Sequence, residues 1–318
     1  MRYITSQLFA LGIVIHLAFA SATCGEDHKP AAPALPAGVK LFPNLEYAAV
    51  DGKSLLLDLY LPEKADLPVP LIVFVHGGGW QAGDRHERLA VPMAARGYAV
   101  ASIDYRLSQQ AVFPAQLHDC KAAVRWLRAH AKAYGLDPTH IGAWGTSAGG
   151  HLVALLGTTG DVKELEGDEG NLEFSSRVQA VCDWFGPTDL TKMDEQSAKS
   201  GVTAAIHHNA PDSPEARLIG GSVMDNKDKA AKANPVNYVI KDAPPFLIMH
   251  GDKDPLVPLA QSELLRDALE KAGVPVKLDV IKGAGHGFGS PEIFQTVEDF
   301  FNKNLKSKAA TQKAQAGN

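Results

Sequence analysis

Cysteine is scarce in this chain of 318 residues: Cys24, Cys120 and Cys182 are all it has. Three thiols do not make a disulfide framework. Cys120 falls in an expected helix and Cys182 in an expected buried strand, so both read as small apolar residues. No HExxH, no paired CxxC and no calcium-loop spacing occurs, so neither a metal nor a cofactor is expected. There is no block of like charge either. The net charge of −5 is spread along the chain, which leaves no basic stripe for nucleic acid and mainly favours solubility. No segment after the N-terminus approaches the ~20 apolar residues of a membrane span. No internal repeat is found.

The N-terminus has its own character. Arg2 is followed by an apolar run from Leu8 to Ala20, broken only by Gly12 and His16, and then by Ala20-Ser21-Ala22. This is the pattern of a secretory signal peptide, residues 1–22, cut near Ala22. It implies a secreted or periplasmic protein with no stable membrane insertion after cleavage. A retained anchor is the alternative, and so is lipid attachment at Cys24, although Thr23 stands where lipoprotein signals usually carry Gly or Ala. Residues 23–40 are rich in Pro and Ala and read as a linker. Residues 307–318 are polar and read as a disordered tail.

The segment between them, 41–306, reads as one catalytic domain. Residues 45–61 alternate about Asp51-Gly52, the pattern of a β-hairpin. Continuous apolar runs at 70–75, 98–103, 140–144, 178–184, 245–250 and 276–281 suit strands buried on both faces. Helical spacing is expected over 85–96, 114–134, 148–156, 258–272 and 293–304. Alternating strands and helices give a mostly parallel sheet covered on both faces. The stretch 188–241 is too long for an ordinary connection and reads as a small lid insertion over the site.

Chemistry concentrates in three loops at expected strand ends, where open parallel sheets place their sites. Gly145-Thr146-Ser147-Ala148-Gly149 fits G-x-S-x-G between a strand and a helix. That tight turn lifts a serine hydroxyl to where a substrate reaches it. His76-Gly77-Gly78-Gly79-Trp80 follows another strand. Its glycines let backbone amides approach a developing oxyanion, and Gly78 and Gly79 are assigned as donors with Ala148. A phosphate loop is the alternative there, but the Lys-Ser/Thr ending is absent. Of twelve histidines, His286 in Gly283-Ala284-Gly285-His286-Gly287 is the candidate base. His76 and His250 read as structural, and His207 and His208 as surface residues of the lid. Asp252 and Asp254 compete for the acid. Asp254 is chosen for its depth in the loop and for the order Ser, acid, His; Asp252 is then a turn residue. Asp104, Arg106 and Asp119 read as a buried ion-pair group supporting the sheet edge. Trp80 is a pocket candidate. Trp184 and Phe185 either line the acyl pocket or pack in the core.

These motifs resemble the α/β-hydrolase esterases and lipases related to hormone-sensitive lipase. The resemblance is closer to bacterial carbohydrate esterases of the BD-FAE type, which cut feruloyl and acetyl-xylan esters. It is carried by HGGGW (76–80), DYRLS (104–108), GTSAGGHL (145–152), DWFGPTDL (183–190), HGDKDPLVPLAQS (250–262) and GAGHGF (283–288), and covers about residues 40–305. It implies an α/β-hydrolase fold, a Ser147–His286–Asp254 triad, an oxyanion hole at Gly78, Gly79 and Ala148, and a small-molecule or oligosaccharide ester as substrate. Two departures from hormone-sensitive-lipase relatives, Thr146 before the nucleophile and the lack of a long N-terminal cap, point to the carbohydrate-esterase branch. A lipase, a general carboxylesterase, a prolyl-oligopeptidase-like peptidase and a non-catalytic binding protein are the other readings.

Overall fold

The computed structural model describes residues 34–306. The expected signal peptide, Cys24 and the C-terminal tail lie outside them. One eight-stranded sheet organises this part of the chain, in the order β1-β2-β4-β3-β5-β6-β7-β8. β1 (Val39–Val50) and β2 (Lys53–Pro62) form the expected antiparallel hairpin. The first strand begins inside the stretch read as linker, at Val39 rather than beyond residue 40. β2 also runs antiparallel to β4 (Ala99–Ile103). The other pairings, through β3 (Val69–Val75), β5 (Leu136–Thr146), β6 (Ala180–Trp184), β7 (Phe246–Gly251) and β8 (Val276–Ile281), are parallel.

Helices cover both faces, as the continuous apolar strands require. On one face lie α1 (Ala115–Ala129), the short α2 (Ala131–Tyr134) and α3 (Ala148–Thr158). Every residue of α3 is buried, which suits a helix that is apolar nearly all round. The expected helix 85–96 shrinks to a 3₁₀ turn at Val91–Arg96. Pro92 has no amide to offer a longer helix, and Arg85 is drawn instead into ion pairs with Asp58 and Asp104 at 3.1 and 2.6 Å. The stretch 188–241 contains three short helices, α4 (Met193–Lys199), α5 (Pro214–Ile219) and α6 (Lys227–Lys232). After it come α7 (Ala260–Ala272) on the α1–α3 face and α8 (Pro291–Leu305) on the opposite one.

Strand order changes direction at β3. The chain steps from β3 outward to β4, then returns past β3 to β5. Connections diverge there, leaving a crevice at the carboxyl ends of β3 and β5. The glycine loop follows β3 and Ser147 follows β5.

Candidate active site

Ser147 is the single residue between β5 and α3, at φ 53° and ψ −119°. A positive φ on serine costs about 1–3 kcal/mol and persists only where packing enforces it. The enforcement is visible. The Ser147 amide donates to the Trp184 carbonyl at 2.8 Å. A Cβ on Gly145 would stand 2.2 Å from the Gly149 carbonyl oxygen, and one on Gly149 would stand 2.0 Å from that of Val75. The flanking glycines are therefore required by close backbone approach. Ala148 opens α3, so its amide has no carbonyl partner within its own helix, and the helix dipole places positive potential beside the hydroxyl.

The glycine loop lies across this elbow. Gly78 and Gly79 have φ of 104° and 59°. A Cβ on Gly78 would fall 2.2 Å from the Ala82 carbonyl oxygen, and one on Gly77 would meet the Thr146 carbonyl oxygen at 3.1 Å and the Ser147 Cβ at 3.4 Å. His76 is buried, stacked on Tyr105 with ring centroids 4.3 Å apart, a structural position.

His286 Nε2 lies 2.9 Å from Ser147 Oγ, and its Nδ1 lies 2.7 Å from Asp254 Oδ2. An ionised carboxylate only accepts hydrogen bonds, so Nδ1–H donates to Asp254 and Nε2 is left to accept the serine proton. Asp254 Oδ1 takes the amides of Leu256 and Val257 at 2.8 and 2.9 Å. Burial alone would raise this carboxyl. Hydrogen bonds from His250 and His286, the charge of His286 and the Val257 amide outweigh burial and hold it well below the usual carboxylate range. His250 is fully buried. It donates from Nε2 to the Val257 carbonyl at 2.8 Å, with the same nitrogen 3.3 Å from Asp254 Oδ2, and its Nδ1 lies 2.7 Å from Ser262 Oγ. It thereby holds both ends of the acid loop. Asp252 is the turn residue: its Oδ1 takes the Gly283 amide at 2.6 Å, and the Lys253 amide reaches the Ala284 carbonyl at 2.9 Å. These two bonds stitch the acid loop to the histidine loop.

Beside the Ser147 and His286 side chains opens a cavity of about 620 Å³. Gly78, Gly79, Ser147, Trp184, Phe185 and His286 line it together with Glu87, Leu89, Leu256 and Phe288. Trp184 and Phe185 thus both pack in the core and face the cavity. The Phe185 ring stands 4.5 Å from that of His286, and the Trp184 ring 4.8 Å from that of Phe288.

A family model described as BD-FAE matches residues 57–269, two thirds of the chain and most of this frame. The chain belongs to the BD-FAE family. With it the chain takes its place among the α/β-hydrolases, and a dienelactone hydrolase family model also matches residues 230–315. This BD-FAE family member is 31% identical over 264 residues to "Esterase LipQ" of Mycobacterium tuberculosis, covering 78% of this chain and 59% of that protein. It is 31% identical over 236 residues to "Lipase 2" of Moraxella sp., covering 68% and 54%. The chain therefore spans little more than half the length of these curated relatives. Among solved structures, "Truncated form of carbohydrate esterase from gut microbiota" superposes with a TM-score of 0.75 at 34% identity, covering 84% of this chain and 97% of that one. The "Bifunctional GH43-CE Bacteroides eggerthii" chain does so at 0.73 and 36%, covering 83% and 38%.

Several expectations for this BD-FAE family chain need correction. Trp80 is buried and is not among the residues lining the cavity. Its positive φ of 57° turns the ring into the core, edge-on to His151 at 5.3 Å. His208 is not a surface residue like the exposed His207; it is fully buried with Nδ1 2.9 Å from Glu215 Oε1. Among the described residues, none of 188–241 lines the cavity. Pro214 lies about 3.5 Å from where a Gly79 Cβ would be, so the insertion borders the oxyanion loop. The expected ion-pair group divides in two. Arg106 pairs with the buried Asp119 at 2.6 Å, while Asp104 pairs with Arg85. Cys120 and Cys182 are free buried thiols, as expected. Sequence reasoning missed Glu87, Leu89, Leu256 and Phe288. Only Leu256 and Phe288 carried a signal, as neighbours of the acid and the histidine.

Proposed function

We propose that the chain is a serine carboxylic-ester hydrolase working through an acyl-enzyme. The observation that carries this reading is the continuous line from the Ser147 hydroxyl through His286 to Asp254, at 2.9 and 2.7 Å. His286 takes the serine proton as Oγ attacks the ester carbonyl. Backbone amides of Gly78, Gly79 and Ala148 hold the oxygen that becomes negative. His286 then gives its proton to the leaving alcohol, and water repeats the sequence on the acyl-serine to release the acid. Asp254 keeps the ring in the tautomer that this requires and stabilises its charged form. The relatives' names, esterases and carboxylic ester hydrolases, support the reaction class.

The proposed substrate is an acylated carbohydrate, as its acetyl or feruloyl ester, met outside the cell by a secreted or periplasmic enzyme. The gut carbohydrate esterase and the GH43-CE protein support it by similarity, and the aromatic wall of Trp184, Phe185 and Phe288 suits a planar acyl group or a sugar face. The name of Lipase 2 favours a second reading, hydrolysis of lipid esters. Purified protein is to be assayed on p-nitrophenyl esters from acetyl to palmitoyl, acetylated xylooligosaccharides and methyl ferulate. Highest kcat/KM on the carbohydrate or feruloyl esters is expected. Rates that climb towards palmitoyl, with carbohydrate esters untouched, would transfer the case to the lipase reading.

A further inference from the structure

Glu87 has no part in the proposed proton relay, yet it lines the cavity beside Ser147. It is the only acidic side chain among the described lining residues, and no lysine or arginine lines that cavity. It stands at the exposed rim. Partial desolvation, the largest influence, and the charge of Asp84 push its carboxyl up, while the Gly77 amide, in the same loop that carries Gly78 and Gly79, favours its ionised form. The nearby Arg85 is already committed to Asp58 and Asp104. The carboxyl therefore faces the same cavity as the oxyanion loop, and its two oxygens offer about four acceptor sites when ionised, more than one amide uses. The apolar part of the wall, Leu89, Phe185, Leu256 and Phe288, offers it no donor, and the Ser147 and His286 side chains that also line the cavity are engaged with each other and with Asp254.

We propose that Glu87 selects the substrate by charge and hydrogen bonding: it accepts a bond from a neutral hydroxyl of the ester and repels esters that carry a carboxylate. This rests on the ester-hydrolase reading and deepens it. A negative group beside the oxyanion loop is electrostatically adverse to a second anion. Its retention at the mouth is useful where the substrate presents hydroxyl donors, and bonds to an ionised acceptor are about twice as strong as neutral ones. The hydroxyl has two possible sources, the sugar on the alcohol side or the phenol of a hydroxycinnamoyl group.

The test compares wild type with Glu87→Gln and Glu87→Ala through ratios of kcat/KM, so that any general loss cancels. Methyl ferulate against methyl cinnamate reports an acyl-side hydroxyl, acetylated xylooligosaccharide against p-nitrophenyl acetate reports an alcohol-side one, and the mono-p-nitrophenyl ester of succinic acid against p-nitrophenyl butyrate reports charge. One of the two hydroxyl ratios is expected to fall about tenfold in Glu87→Ala, and which one falls identifies the source. The anionic ratio is expected to rise severalfold in both variants, with the gain shrinking at high salt. Parallel loss on all substrates with every ratio constant would make Glu87 a mere support of the loop and overturn the proposal. Wild-type protein inert on all the esters would instead overturn the hydrolase reading beneath it.

Discussion

Two buried carboxyl groups near the elbow are driven in opposite directions. Asp254 has two amides and two histidines around it and is held ionised. Asp183, at the end of β6, accepts the Gly186 amide at 2.9 Å, and burial pushes it up to about 6 against the help of that amide and of His250. The sign follows from linkage. A carboxyl whose folded pKa lies above its ordinary 3.8 favours the fold while protonated, so that contribution is full below 3.8 and is lost as pH rises through 6. Asp183→Asn keeps an acceptor for Gly186 and removes the ionisation. It is expected to leave Tm unchanged near pH 4 and to raise stability at pH 8 by up to about 3 kcal/mol. A variant less stable than wild type at pH 8 would contradict this. Asp254 acts the other way, adding stability above 3.8 that is lost as pH falls. At this scale the three groups of the site were legible because each sits in a motif whose spacing its chemistry dictates. Trp80, His208 and Glu87 were not. Where those side chains point depends on a positive φ at Trp80, on a Glu215 partner and on a loop wrapped round the cavity, none of which leaves a pattern in nearby residues.

The elements were most legible where periodicity is unopposed. The turn of the hairpin at Asp51-Gly52 and the strands at β3, β4, β6, β7 and β8 stand within two residues of expectation, because apolar runs between breakers have few other homes, whereas the hairpin itself starts at Val39, six residues before the expected 45. Helix 85–96 failed because apolar spacing says nothing about a proline without an amide or an arginine claimed by distant carboxylates. The junction of β5 and α3 is where an element boundary does chemistry. Its tightness predicts that Gly149→Ala, whose Cβ would fall 2.0 Å from the immobile Val75 carbonyl oxygen, costs about 3 kcal/mol or more. Gly289→Ala, with its nearest neighbour the Phe294 ring at 3.5 Å, should stay within about 0.5 kcal/mol of wild type. Thermal melts of the two variants check the contrast, and equal Tm values would refute the packing account of the G-x-S-x-G glycines.

On the scale of the sheet, position follows from topology. Reversal of strand order at β3 opens the crevice into which the glycine loop and Ser147 project, and β7 and β8 bring the acid and the histidine to its rim. That much follows from alternating strands and helices with the motifs at strand ends. The role of 188–241 does not, because length reveals an insertion but not the side on which it packs. It ends up beside the oxyanion loop, through Pro214 and an Arg217–Gln81 contact at 3.0 Å, with the cavity left to other loops.

The central claim is that Ser147 is made nucleophilic by His286 and Asp254. Its most direct test is to treat the folded protein with a fluorophosphonate and map the adduct by mass spectrometry. The account predicts a single adduct, on Ser147, that is absent in Ser147→Ala and greatly slowed in His286→Ala. An unlabelled Ser147 in folded protein, or labelling as fast without the imidazole as with it, would contradict it.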